Sequence, residues 1–295
     1  MRSKRYIDQR YPTWYIFPAL ILFIVFFILP NVSSFYFAFT NWSIFRLFKI
    51  EFIGIDNFVR LLNEDAFIKA IINTFYFAIM TTVMKNVFGL TFALAVSSNK
   101  RFDNFFRSVF FMPVTISTLV VAVVFVAIYN PAHGILNTFL RTIGLDFLAQ
   151  KWLVDVKYAM TSICFMEIWQ WTGYSMVIFI TGIKSVSKDY YEAAKIDGAN
   201  WYQTLRNITL PLILPSINVS LLMTVIGGFK VFALVYATTN GGPINSTQVF
   251  GTYLYKTFSD GFLGYSSAVG MVMTLIILLL TFSFLPKLRT KEIEN

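Results

Sequence analysis

Long apolar segments alternate with short polar ones along most of this chain. Six of the apolar runs hold about 20 residues or more, the helical length needed to cross roughly 30 Å of hydrocarbon. Backbone groups left unpaired in lipid are costly, so each run is predicted to be a helix. The pattern therefore predicts six membrane spans: Trp14–Phe39, Phe67–Val96, Ser108–Tyr129, Tyr158–Ile183, Leu210–Tyr236 and Phe262–Leu285.

The composition is that of a polytopic membrane protein. Of the 295 residues, 57% are hydrophobic and only 13% are charged, whereas soluble domains carry roughly a quarter charged residues. The predicted organisation is a cytoplasmic segment over 1–13, one six-span domain over 14–286 and a cytoplasmic tail over 287–295. Cys164 and His133 are the only residues of their types, so no metal site is predicted.

Lysine and arginine are distributed unequally between the two sets of connecting segments. Fourteen fall in residues 1–13, 97–107, 184–209 and 287–295, against seven in the segments on the opposite side. Because basic residues concentrate on the cytoplasmic side of membrane proteins, both termini are predicted to be cytoplasmic. The net charge of +9 is interpreted as this topology signal, and its scatter over separate loops disfavours a nucleic-acid partner.

The polar segment between the fourth and fifth spans, residues 184–209, is predicted to form two short helices. Ser187 can cap the first helix, and Gly198 can supply the left-handed residue that ends it. Asn200 can then cap the second helix, which leads into the fifth span. The segment is predicted to lie as a helix–turn–helix beneath the membrane, although an ordinary capped loop has the same signals.

The first of these helices carries features that favour contact with another protein. Ala193-Ala194 leave a flat patch that a partner can approach closely, and Glu192 can project toward a partner's arginine or backbone donors. Asp197-Gly198 follow at a fixed distance, and Ile208-Thr209-Leu210-Pro211 then runs into the fifth span. This arrangement resembles the EAA loop of the permease subunits of bacterial ABC importers, the surface that docks onto the ATPase.

The resemblance is to sugar-type permeases of the maltose and glycerol-3-phosphate group, and it covers nearly the whole chain. The chain differs from the family at Leu205, where Phe is frequent, and at Ala233, where an acid is common. Further segments resemble family sequences at the corresponding places: Phe52-Ile53-Gly54-Ile55-Asp56-Asn57-Phe58, Asn73-Thr74-Phe75, Arg107 through Pro113, Phe229-Lys230-Val231-Phe232 and Thr239-Asn240-Gly241-Gly242-Pro243.

The resemblance implies an all-α, type I importer permease of six transmembrane helices in the bacterial plasma membrane. It implies import of a sugar or oligosaccharide by alternating access, with a dimeric ABC ATPase, a second homologous permease and an extracytoplasmic substrate-binding protein as partners. ATP and magnesium would bind the ATPase. This chain has no phosphate loop, so no cofactor and no catalytic residue are assigned to it. The implied coupling residues are Glu192, Ala193, Ala194, Asp197, Gly198 and Ala199.

Three ionisable residues lie deep inside the predicted spans: Lys85, Glu167 and Lys230. Each costs a few kcal/mol at the bilayer centre, so each is expected to face protein or water and to have a partner. Counting 1.5 Å per residue from the span ends gives Glu167 and Lys230 similar depths. We therefore predict that these two residues face one cavity. Lys85, which counts as deeper, is expected to snorkel or to bond a carbonyl of a companion subunit.

One face of the fourth span combines acid, amide and aromatic groups. Glu167, Gln170, Trp171 and Tyr174 follow the spacing i, i+3, i+4, i+7. Aromatic planes stack on sugar rings, so these residues are candidate substrate contacts, with plain helix packing as the alternative. The family resemblance adds further candidate contacts: Gly173, Met176, Phe229 and Lys230.

Two other classes of protein remain as alternatives. An ion-coupled secondary transporter needs intramembrane acids or broken helices that hold the coupling ion, and Glu167 alone is weak support for one. A membrane-embedded glycosyl transferase needs a converging set of acids, and Glu64-Asp65 stand without such a set.

Overall fold

The prediction of an all-α chain is confirmed. The computed structural model describes residues 13–97 and 102–293, with side chains for 14–97 and 102–283. In these ranges the only β-type pairing is an isolated bridge between Thr40 and Phe52. The helices, in chain order, are α1 (Trp14–Phe37), α2 (Asp56–Leu62), α3 (Asp65–Ala95), α4 (Asp103–Phe111), α5 (Thr118–Ile128), α6 (Ile135–Thr142), α7 (Ala159–Ser185), α8 (Lys188–Ile196), α9 (Trp201–Leu212), α10 (Leu214–Phe229), α11 (Ala233–Thr238), α12 (Phe250–Ser259) and α13 (Leu263–Ile293).

Four of the described helices are long and apolar enough to cross a membrane unbroken: α1, α3, α7 and the Leu263–Ser283 part of α13. They correspond to the first, second, fourth and sixth predicted spans, with boundaries that differ by a few residues. The predicted orientation draws partly on residues outside the described ranges: Arg2, Lys4, Arg5, Arg10, Lys100 and Arg101.

The third apolar run is broken rather than straight. One helical piece, Asp103–Thr115, ends in a 3-10 turn, and α5 begins at Thr118 with its axis turned by 96°. Pro113 lies in that turn, where its missing N–H weakens the helix, and Ile116 and Ser117 continue with extended ψ angles of 136° and 134°. The run over Ser108–Tyr129 is therefore not the single continuous helix that was expected, although the bent pair of helices still counts as one candidate span.

The fifth apolar run is broken as well, at two places. Helices α9 and α10 meet at Ile213 with a bend of 69°. Pro215 lies in the first turn of α10, directly after the bend, where its missing N–H is tolerated. At its far end α10 stops at Phe229, and the chain resumes as a helix only at Ala233. The fifth run, Leu210–Tyr236, is therefore a broken candidate span rather than one continuous helix.

One of two compact units contains the residues up to Asn63 together with Leu254–Thr274. Its loop after α1 is fixed by the Nδ2 of Asn57, which donates to the carbonyl oxygens of Ala38 at 2.8 Å and Thr40 at 2.9 Å. This buried amide therefore replaces backbone pairing where the chain turns from α1 toward α2.

The other unit contains Glu64–Tyr253 and Leu275–Asn295, and it holds the residues predicted to be functional. Helices α3, α7 and α10 form its centre. The Nδ2 of Asn86 on α3 donates to the Thr224 hydroxyl on α10 at 2.9 Å. Phe77 and Ile163, both fully buried, join α3 to α7 within the main hydrophobic cluster. These contacts fix the helices that carry the intramembrane charges.

Candidate functional site

The loop formed by α8 and α9 has the local structure that its sequence predicts. The Ser187 hydroxyl accepts a hydrogen bond from the Asp189 N–H at 3.3 Å, which caps α8. Gly198 has φ +74°, and the next N–H, of Ala199, donates to the Ala194 carbonyl oxygen at 2.9 Å. Asn200 then caps α9, in a reciprocal capping box with Gln203. The chain therefore reverses direction here through a turn that favours glycine.

The surface of this loop differs from the expected flat alanine patch. Glu192 and Ala193 are exposed, but Ala194 is only 5% exposed and packs against the protein itself. The prediction that both alanines face a partner is therefore wrong. Asp197 and Gly198 are exposed and Ala199 is half-buried.

Large apolar side chains, which the sequence reasoning missed, are also exposed on the loop. Ile196 is 86% exposed, Trp201 70% and Tyr202 58%. Exposed side chains of this size, grouped on one short loop, are typical of an interaction surface. The available signal was their position in a polar segment, directly before and after the Gly198 turn.

A cavity of 380 Å³ lies where the breaks of the third and fifth runs approach each other. Thr118 is the first residue of α5, and Lys230–Ala233 connect α10 to α11, so both breaks contribute to its wall. Broken helices at membrane depth are tolerated where they line a cavity, and such sites bind substrates in transporters. The lining residues are Lys85, Thr118, Glu167, Trp171, Tyr174, Met223, Thr224, Gly227, Lys230, Val231, Phe232, Ala233 and Leu234.

A buried ion pair forms one wall of this cavity. The Nζ of Lys85 lies 3.2 Å from Oε1 of Glu167, and the two residues are 2% and 9% exposed. The expectation that Lys85 snorkels or bonds a companion subunit is therefore wrong. The depth count failed because Lys85 lies 20 residues along α3 and Glu167 eight along α7, about 30 Å and 12 Å from the helix starts. At the end where the two helices begin, α3 must therefore extend well beyond α7.

Lys230 lines the same cavity as Glu167, so the prediction of a shared cavity is confirmed. Lys230 is the residue at which α10 ends, and its side chain is exposed. Among the residues with described side chains, no carboxylate lies within 4 Å of its ammonium group. Since Lys85 and Glu167 neutralise each other, the cavity carries the charge of Lys230.

Two of the predicted aromatic contacts also lie on the cavity wall. Trp171 and Tyr174 are both lining residues, and their ring centroids are 6.3 Å apart in an edge-to-face arrangement. The cavity therefore combines an aromatic surface, a carboxylate and an ammonium group, which together can contact a polyhydroxylated ring and hydrogen-bond its substituents.

Gln170 does not line the cavity, although it was predicted on the same helix face. It is 1% exposed, and its Nε2 donates to the Ile116 carbonyl oxygen at 2.9 Å and to the Thr118 hydroxyl at 3.3 Å. Gln170 therefore satisfies the backbone freed where the third run breaks. Its observed role is to hold the break in place.

Three of the four candidates added by family resemblance, Gly173, Met176 and Phe229, do not line the cavity. A Cβ at Gly173 would overlap the carbonyl oxygen of Phe110, so this glycine permits close packing of α7 on α4. Met176 is fully buried in a separate apolar cluster. The Phe229 ring packs edge-to-face on Phe75, with centroids 4.9 Å apart. Each of the three therefore has a packing role in this structure.

Several lining residues were not predicted from the sequence. Thr118 and Thr224 contribute hydroxyls, while Met223 and Gly227 contribute the apolar wall from α10. Single threonines within a long apolar run change its mean hydropathy very little. Their membership of the cavity depends on the two breaks, which the hydropathy pattern does not show.

A helical membrane chain, with a cavity between broken spans and a protruding capped loop, is typical of a transport protein. The family model described as "Binding-protein-dependent transport system inner membrane component" matches residues 85–287. The chain belongs to this family. It is thus the membrane permease component of a binding-protein-dependent transport system.

Individual relatives agree over nearly the full length of the chain. It is 38% identical over 274 residues to the probable ABC transporter permease protein YurN of Bacillus subtilis (strain 168), covering 92% of this chain and 93% of the relative. It is 32% identical over 281 residues to the multiple sugar-binding transport system permease protein MsmF of Streptococcus mutans, covering 94% of each. The chain shares its fold with a solved bacterial ABC transporter involved in the import of the acidic polysaccharide alginate, with a TM-score of 0.85 at 24% identity. The alignment covers 98% of this chain and 99% of that chain.

Proposed function

We propose that this permease imports a sugar or oligosaccharide by alternating access, driven by a separate dimeric ABC ATPase. A second homologous permease completes the translocation pathway, and an extracytoplasmic binding protein delivers the substrate. The name of the MsmF relative, a multiple sugar-binding transport system permease, supports a saccharide substrate. ATP and magnesium bind the ATPase, and this chain holds no cofactor.

The observation that carries the proposal is the cavity at the two helix breaks. Trp171 and Tyr174 offer ring faces to a sugar, and Glu167 and Lys230 offer an acceptor and a donor for its hydroxyl groups. Glu167 has one carboxylate oxygen engaged by Lys85. Its second oxygen is therefore available to a ligand in the cavity.

The exposed loop α8–α9 supplies the coupling to the ATPase. Ile196 and Tyr202 project on either side of the Gly198 turn and fit an apolar cleft in the partner. Glu192, Ala193 and Asp197 surround them as a polar rim, while Ala194 and Ala199 hold the turn from within. Closure of the ATPase on ATP moves this loop and with it the attached spans.

This function places the loop and both termini on the cytoplasmic side. The chain offers a simple test, because its single cysteine, Cys164, is fully buried. An Ile196→Cys variant, produced in sealed cells that lack the ATPase, should react with a membrane-permeant maleimide and resist an impermeant one. Labelling of intact cells by the impermeant reagent would refute the assigned orientation.

The function is tested by uptake in proteoliposomes that contain the chain with its ATPase, its second permease and its binding protein. Uptake of labelled saccharide should require internal ATP and should be indifferent to imposed sodium or proton gradients. Gradient-driven uptake without ATP would favour the ion-coupled alternative.

A pair of tryptophan variants tests the assignment of the cavity. Trp171→Ala should lower saccharide uptake about tenfold, since truncating a central aromatic contact costs on the order of 1–2 kcal/mol. Trp169→Ala is the matched control, because Trp169 is absent from the cavity wall and packs on Phe125 with ring centroids 5.3 Å apart. Equal loss in both variants would contradict a substrate site in this cavity.

A further inference from the structure

A second cavity, of 570 Å³, lies where α3 and α7 end beside the loop helices α8 and α9. Its walls come from four different helices and from the connection between α7 and α8. None of the lining residues carries a carboxylate. They are Leu94, Ser97, Ile183, Lys184, Val186, Lys188, Tyr191, Trp201, Thr204, Leu205 and Thr209.

The charge of this cavity is positive and uncompensated. In the described part of the chain, neither Lys184 nor Lys188 has a carboxylate within 4 Å. Asp189, the acid closest to them in sequence, accepts a hydrogen bond from the Ser187 hydroxyl at 3.0 Å and does not line the cavity. Lys188 is moreover the first residue of α8, where the helix dipole already presents positive potential.

Apolar and hydroxyl-bearing side chains share the wall with these two lysines. Leu94 and Ile183 lie in the last turns of α3 and α7, and Leu205 contributes from α9. Tyr191 and Trp201 add aromatic rings of the kind that concentrate at the membrane interface. A ligand that fits both the apolar wall and the two lysines has an apolar body and an anionic head.

We propose that this cavity binds the phosphate headgroup of an anionic phospholipid. Basic pockets between membrane helices bind such headgroups, and the apolar wall favours a lipid over a free phosphate ion. The bound lipid would contact both loop helices, α8 through Lys188 and α9 through Trp201. It would thereby hold the loop at a defined position against the ends of the spans.

Trp201 provides a direct reporter of binding. The full-length chain is placed in phosphatidylcholine nanodiscs that contain a few per cent of brominated phosphatidylglycerol, and the fluorescence lost relative to a Trp201→Phe variant is measured. Quenching of Trp201 should exceed that caused by brominated phosphatidylcholine at the same mole fraction. Each lysine near an anionic headgroup contributes about a fivefold factor in affinity, so Lys184→Gln with Lys188→Gln should weaken selective quenching about 30-fold.

Two control variants distinguish lipid binding at this cavity from attraction to general surface charge and from loss of the fold. Lys195→Gln removes a lysine from the same helix α8 without touching the cavity, and it should leave quenching unchanged. Lys184→Arg with Lys188→Arg keeps both charges and should retain selective quenching. Equal quenching by both brominated lipids, or equal loss in the Lys195 variant, would overturn the proposal.

A competition experiment distinguishes the lipid from a soluble source of the same phosphate chemistry. Millimolar inorganic phosphate should not relieve the quenching, and relief would reassign the cavity to a soluble phosphate. These measurements use neither ATP nor substrate. Failure of the lipid site would therefore be visible separately from failure of the proposed transport function.

Discussion

Removing the Glu167 carboxylate is the most informative single change to the charged cavity. Glu167→Gln keeps the shape of the side chain but leaves Lys85 without its counter-charge. Lys85 is 2% exposed, so its ammonium group would have neither water nor an acid as a partner. We expect this variant to be strongly destabilised.

The magnitude follows from the geometry of the pair. Unit charges 3.2 Å apart attract with about 5 kcal/mol at an effective dielectric constant of about 20. Removing one member of a buried pair typically costs about 3–5 kcal/mol, and Glu167→Gln should fall near the top of that range. Lys85→Met should fall near the bottom, because the remaining carboxylate is 9% exposed and can be hydrated from the cavity. The double variant, Lys85→Met with Glu167→Gln, leaves no unpaired buried charge. It should lower the free energy of unfolding by only about 1 kcal/mol.

The assay is equilibrium unfolding of the purified protein in mixed micelles, for the parent, both single variants and the double variant. The double-mutant cycle should give a coupling energy of several kcal/mol between Lys85 and Glu167. Two results would refute the reasoning: additive losses in the double variant, or a change of less than about 1 kcal/mol in Glu167→Gln.

Three further predictions concern the loop and the helix contacts. Ile196→Asp should weaken co-purification of the ATPase at least about tenfold while membrane insertion is unchanged, because it places a charge at the most exposed apolar position of the loop. Gly198→Pro should abolish coupled uptake with normal insertion, since proline cannot adopt φ +74°; wild-type uptake would contradict the coupling role. Gly173→Leu should destabilise the protein by about 1–3 kcal/mol in the same unfolding assay, because the new side chain meets the Phe110 carbonyl. Unaltered stability would exclude close packing of α7 on α4 at this glycine.

The capped loop was predictable from sequence because its signals are local. Ser187, Gly198 and Asn200 each act on backbone groups within a few residues, and the structure has all three in their predicted places. The inward packing of Ala194 was not predictable, since burial of a single small residue depends on which side of the helix the rest of the chain covers.

The breaks in the spans and the partner of Lys85 depend on longer-range structure. The mean hydropathy of the third run gives no sign of the break, because Ile116 and Ser117 are as uncharged as their helical neighbours. The break persists because Gln170, from a different helix, bonds the freed carbonyl. Likewise, the depth count assumed that every span begins at the same level, and α3 extends further than α7.

Helix α10 connects the loop to the cavity in one rigid piece. It begins directly after the bend at Ile213, where α9 ends, and its 16 residues extend about 24 Å to Phe229, next to Lys230. The Lys85–Glu167 pair joins α3 to α7 and leaves α10 outside this link. Asn86 on α3 donates to Thr224 on α10, so a displacement of α9 that passes along α10 is expected to reach α3 as well as Lys230. The geometry thus connects the loop, through α10, both to Lys230 at the cavity and to the helix that carries Lys85.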